Sequence, residues 1–170
     1  QIGDANGNGY QDELSKLLAT DGLGNLKGLD ASIDFGGNTQ ASVSISEGQA
    51  LTLIADGLHF AHNDQITLEF DANAHGTHLG TSLKDLSKLG VDAVAISGGN
   101  TLSVDLGGAG SLDNIPTFGG LDVTLNVYDQ AQISEVAAAA DQLSAAGIDH
   151  LNLQIGDANG NGYQDELSKL

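Results

Sequence analysis

The side chains best placed to do chemistry fall in a stretch that the chain carries twice. Asp4-Ala-Asn6-Gly-Asn8-Gly-Tyr10-Gln-Asp12-Glu13 returns letter for letter as Asp157-Ala-Asn159-Gly-Asn161-Gly-Tyr163-Gln-Asp165-Glu166. The pattern D-x-N-x-N-G-x-x-D sets side-chain oxygens at its positions 1, 3 and 5 and a carboxylate at 9, with a main-chain carbonyl at 7 from Tyr10 or Tyr163. A Gly at position 6 allows the sharp turn that lets these oxygens converge. Oxygen-only donors on a tight loop suit a hard divalent cation, calcium first. A complete twelve-residue loop ends on a bidentate Glu, and here that position is Ser15 or Ser168. Glu13 and Glu166, at position 10, are the replacements. Two Asn in place of Asp lower the charge of the loop, so the expected affinity is weak, in the micromolar-to-millimolar range.

The duplication runs further than the loop. Residues 1–17 and 154–170 are the same 17 letters, an identity too long for chance, and it sets a period of 153 residues. The expected organisation is therefore 1–17 as the end of one repeat with its calcium-type loop, 18–153 as the body of the unit, and 154–170 as the start of the next copy. Long-period repetition of this kind signals an array in which each unit mostly touches its neighbours. A fainter repetition lies inside the unit. Gly90-Val-Asp-Ala-Val-Ala-Ile96 is echoed by Gly147-Ile-Asp-His-Leu-Asn-Leu153 and by Gly28-Leu-Asp-Ala-Ser-Ile-Asp34. Gly-Gly-Asn-Thr at 36–39 and 98–101 precedes two alternating segments, 41–45 and 102–106. The unit reads as internally duplicated.

Other groups offer weaker chemistry. Asp71-Ala-Asn73-Ala-His75-Gly76 is a shortened relative of the calcium-type loop, but its fifth position is His, a poor calcium ligand. His59, His62, His75 and His78 form two H-x-x-H pairs. Imidazoles three apart on a helix, with Asp64 or Asp71, would make an open zinc or nickel site of the hydrolytic type. This is the alternative reading: a metal-binding module or metallohydrolase. No H-E-x-x-H motif supports it, and His59 and His62 follow the end of a helix expected to stop at Gly57. No G-x-S-x-G nucleophile and no phosphate loop of the G-x-x-x-x-G-K-[ST] type is present, so no enzyme is expected.

Composition narrows the partners. Five Lys+Arg against 23 Asp+Glu give a formal net charge of -18. A surface so poor in cations cannot neutralise phosphates, which argues against nucleic acid and against anionic lipid. Among the acids 18 are Asp and 5 are Glu, a bias toward turns, caps and oxygen-donor loops. The chain holds no Cys, which removes disulfide, iron–sulfur and thiolate zinc chemistry. No apolar run reaches the roughly 18 residues of a membrane span, and no segment reads as a signal peptide. With 3 Tyr, 4 Phe and no Trp, a stacking platform for sugars is poorly supplied.

Periodicity supplies the elements that must hold these groups. Two-residue alternation over 29–35, 66–70 and 121–127 predicts half-buried strands. Helical spacing at Leu79, Leu83, Leu86 and Leu89 and at Ile133, Val136, Ala140 and Leu143 predicts two helices, stopping at Gly90 and Gly147. A third helix runs from a Ser46–Gln49 capping box to Gly57, and a fourth from near Tyr10 through Leu14, Leu17 and Leu18. Alternating strands and helices point to an α/β fold with a largely parallel sheet, and compact and solenoid-like forms both stay open.

The segments 43–60 and 86–104 resemble long tandem repeats of giant bacterial surface and secreted proteins. The Asp157 loop separately resembles the short calcium loops of thrombospondin type 3 and EF-hand-like repeats. The resemblance implies an acidic, calcium-loaded extender of an adhesin-like or surface-layer-like protein, exported by type I secretion to the cell surface or beyond. The implied partners are neighbouring copies in cis and the surface of another cell.

Overall fold

The computed structural model describes residues 10–36 and 40–154. The strands are β1 (Ala31–Ile33), β2 (Ser42–Ser46), β3 (Leu58–Phe60), β4 (Gln65–Asp71), β5 (His78–Leu79), β6 (Ala93–Ser97), β7 (Thr101–Asp105), β8 (Asp122–Val127) and β9 (His150–Leu153). The helices are α1 (Gln11–Leu18), α2 (Glu47–Asp56), α3 (Ala72–His75), α4 (Leu83–Leu89), α5 (Gln130–Ala138) and α6 (Ala140–Ala146), with a 3-10 turn at Leu23–Leu26. The fold is mixed α/β, and every strand pairing is parallel: β1-β3, then β2-β4-β6, then β5-β7-β8-β9.

Local sequence accounts for the helix ends. Ser46 accepts from the Gln49 N–H while the Gln49 side chain accepts from the Ser46 N–H, so the expected capping box is formed and two orphan donors are satisfied. Two other helices depart from the spacing. Leu79 lies in β5 instead of α4, because Ser82 caps the helix three residues later, accepting from the Asp85 N–H and donating to its carboxylate. The run through Ile133 and Leu143 is two helices: Ala139, at φ -102 and ψ 11, leaves the helical region, and the bend lets both Val136 and Leu143 reach the core.

The internal duplication is visible as repeated pairing. Parallel β2-β4 recurs as β7-β8, and β4-β6 recurs as β8-β9. Even the short β1-β3 pair has a counterpart in a single bridge between Ala93 and Thr117. The strand pairings of the second half thus repeat those of the first, although α2, between β2 and β3, has no helical counterpart between β7 and Thr117. The alternating strands turn Val43 and Ile45, Ile66, Leu68 and Phe70, and Val123, Leu125 and Val127 inward, and all are buried. Each such side chain contributes about 1.5–3 kcal/mol. Along one side the rings of Tyr10, Phe35 and Phe60 follow one another at 5.1 and 5.9 Å, tying α1 to the first sheet.

The two echoed Gly-apolar-Asp segments do the same work. Gly90 and Gly147 end α4 and α6 in the left-handed conformation, with φ of 82 and 94. Val91 and Ile148 are buried beneath the turn. Asp92 and Asp149 then clamp the neighbouring strand. Each Asp donates its N–H to a carbonyl, of Ile66 or Val123, and its carboxylate accepts the N–H of that same residue.

Candidate functional site

Of the residues expected to hold calcium, Tyr10, Asp12 and Glu13 are described; Asp4, Asn6, Asn8, Asp157, Asn159, Asn161, Tyr163, Asp165 and Glu166 lie outside the described residues. Tyr10 opens α1, and its carbonyl accepts the Leu14 N–H at 2.9 Å, leaving the second lone pair of that oxygen. Asp12 is exposed in the first turn of α1, where a carboxylate suits the positive end of the helix. Glu13 is different. Both of its carboxylate oxygens are shielded from solvent and have no hydrogen-bond partner among the described residues. The nearest cation, Lys16 Nζ, stands 3.8 Å away and is itself largely exposed. A sheltered carboxylate without a donor is costly unless a cation meets it.

The shortened relative at Asp71 is a capped turn. Asp71 accepts the Asn73 N–H at 2.9 Å as the cap of the one-turn α3, which occupies its oxygen locally. The His pairs are dispersed over separate elements. His59 lies in β3 with Asp30 at 3.7 Å, His62 in the following turn, His75 at the end of α3 against the Phe70 ring, and His78 in β5 with Asp105 at 3.7 Å. Asp64, expected beside them, is buried with both oxygens committed: it accepts from Phe35 N–H at 2.8 Å and Ala41 N–H at 3.3 Å, holding the two ends of the loop between them. Among the described residues no group of three or more His, Cys, Asp or Glu gathers as a metal site.

A further polar cluster is marked by no sequence motif. Asp105, Asn126 and Asn152 are register neighbours on β7, β8 and β9. Asn126 is buried and donates to Ser103 Oγ and Asp105 Oδ1, both at 2.9 Å, while its own Oδ1 accepts from Asn152 at 2.8 Å. Tyr128 adds a hydrogen bond from its hydroxyl to Asp105 Oδ1 at 2.7 Å. That bond, then burial, then the carboxylate's charge raise the Tyr128 phenol above its ordinary value. All these groups are partnered with one another, so the cluster is a ladder that fixes strand register. The signal for it, Asn at matched positions of two strands, becomes readable only once the pairing is known. No helix among the described residues is long and apolar enough to cross a membrane.

No protein-family model, curated protein or solved structure matches the chain.

Proposed function

We propose that the chain is a structural extender: one period of a tandem array in a large extracellular or cell-surface protein of adhesin-like kind, stiffened by calcium at the seam between periods. The observation that carries this reading is the place of the repeat. The repeated 17 letters begin at Gln154, directly after β9, and β9 ends its sheet with Leu151 and Leu153 exposed. A parallel scaffold that stops on an apolar edge, with sequence that restarts there, is suited to continuation by another copy.

The sheltered Glu13 supports calcium as the cofactor, with Asp4, Asn6, Asn8, Tyr10, Asp12 and Glu13 as the ligands, and their twins at the other end. The ion would supply positive charge to a chain of net charge -18 and join the strand before the loop to the helix after it. Neighbouring copies in cis are the partners. Export by type I secretion and attachment to another surface belong to the same reading.

Thermal melting in calcium, in zinc and in chelator tests it. Calcium at about 100 times its dissociation constant adds about 2.7 kcal/mol of stability, read as a rise in Tm. The double variant Asp4→Ala, Asp157→Ala loses that rise. A chain indifferent to calcium, or one that responds to zinc alone, overturns the calcium seam.

A further inference from the structure

We propose that β1 of one copy of the period pairs in parallel with β9 of the copy before it, Leu29 closing the seam and Asp30 clamping it, so that the last sheet of one copy runs on as the first sheet of the next. The inference rests on the tandem reading above and goes beyond it by naming the surfaces that meet.

Two strand–helix–strand crossovers in the described chain share one design. β4 passes through α4 to β6, and β8 passes through α5 and α6 to β9; each returning strand lies beside the one it left, as parallel crossovers do. Both return through Gly-apolar-Asp. In both, the apolar residue is buried, Val91 at 2% and Ile148 at 9% exposure, and the Asp carboxylate accepts an N–H of the strand it closes on, 26 residues earlier.

Gly28-Leu29-Asp30 is the third such segment. It follows α1 and the 3-10 turn and opens β1, yet Leu29 is 63% exposed, and β1 pairs on one side with β3 and on the other with no strand of the described residues. The segment has the form of a closure without, among the described residues, a strand to close on. The last strand of the described chain shows the complement. Among the described residues β9 pairs with β8 alone and is exposed along its length, Leu151 at 51% and Leu153 at 42%, whereas their register partners Leu125 and Val127 are fully buried. Leu151 and Leu153 form, with Ile133, Val136, Leu143 and Ile148, an apolar groove of ≈ 360 Å³.

The sequence joins the two ends. After β9 the chain reads Gln154 to Leu170, which is Gln1 to Leu17, the segment that includes all but the last residue of α1 and leads on to the turn, Leu29, Asp30 and β1. β9 at one end of the period, and α1, the turn and β1 at the other, are therefore the two halves of a third crossover. The occupant of the β9 edge is the next copy of this chain.

A protein carrying two consecutive periods tests the seam, because each residue then occurs once at the seam and once at a free end. Leu29→Ser in the second copy and Leu151→Ser in the first each lower the Tm by about 3 °C or more. Leu29→Ser in the first copy, Leu151→Ser in the second, and either change in the 170-residue chain leave it unchanged. Effects independent of which copy carries the change overturn the pairing. Solution scattering on the same protein reads the extender proposal separately. Two copies that lengthen the particle without copy-dependent melting keep the extender and overturn the β9–β1 seam. Copy-dependent melting in a particle that folds back on itself supports the seam and overturns the extender.

Discussion

Asp92 holds the peptide of Ile66 from both sides: its N–H donates to the Ile66 carbonyl at 2.9 Å, and its Oδ2 accepts the Ile66 N–H at 2.7 Å. Ile66 is wholly buried, so without the carboxylate its N–H would have no water to turn to. Asp92→Ala is expected to cost about 1–3 kcal/mol, measured by urea unfolding. Asp92→Asn keeps the acceptor oxygen and costs less. If alanine and asparagine prove equally mild, the clamp contributes nothing.

Gly98 meets two constraints at once. It sits at φ 81, and a Cβ there would collide with the Asn73 side chain. Gly98→Ala is expected to destabilise by about 1–3 kcal/mol through backbone strain and the clash together. Asn73→Ala in the same chain removes the clash and leaves the strain, so the double variant recovers part of the loss. A double variant as unstable as Gly98→Ala alone would assign the whole cost to the backbone.

These two positions also show how far the sequence reaches. The Gly-apolar-Asp echo and the Gly-Gly-Asn-Thr echo are visible as letters, and the strand alternation and the Ser46 capping box are local, so the parallel α/β class follows from them. What the Asp does is not local. The partner N–H lies 26 residues away, and only the sheet register brings it within reach. The same holds for Asn126, whose polarity argues against burial until Asp105, Ser103 and Asn152 are placed around it. Leu79, and the single helix expected through Ile133 and Leu143, differ from the sequence pattern for another reason. Helical spacing of apolar residues says which side chains are buried, but a cap at Ser82 and a bend at Ala139 decide where the helix runs. For the calcium-type loop, the spacing proposes the ligands, and the described residues add one fact that spacing cannot supply, the sheltered carboxylate of Glu13.

Tyr128 gives a pH-dependent readout. Its hydroxyl donates to Asp105, which favours the protonated phenol, so its value in the folded chain lies above the 10.0 of the free group. The folded state then holds the proton more tightly than the unfolded one. The resulting stability is fully present below pH 10 and is lost as the pH rises through the folded value. Ultraviolet titration of phenolate is expected to show one late component that Tyr128→Phe removes and Asp105→Asn moves to lower pH. A titration unchanged by Asp105→Asn would separate the phenol from the carboxylate.

Lys84 is a buried charge that ties three elements together. Its side chain is 6% exposed, and its ammonium donates to Glu135 Oε2 at 2.6 Å and to the Gly108 carbonyl at 2.9 Å. It thereby joins α4, the loop after β7 and α5, three elements that share no other charged contact among the described residues. Glu135 is about a third exposed (34%), so water screens part of the attraction, and the pair itself adds little beyond what two apolar side chains would. Breaking it from one side is another matter. Glu135→Ala leaves an ammonium buried with a single carbonyl, which is expected to cost about 2–3 kcal/mol after allowing for that exposure. Lys84→Met costs less, since the freed Glu135 carboxylate can turn to solvent. The double variant Lys84→Met, Glu135→Leu is expected to fall near the parent, and a double-mutant cycle by urea unfolding reads the three together. Should Lys84→Met prove the costlier single change, the bridge to the Gly108 carbonyl, and not the ion pair, would be what holds the loop to α4.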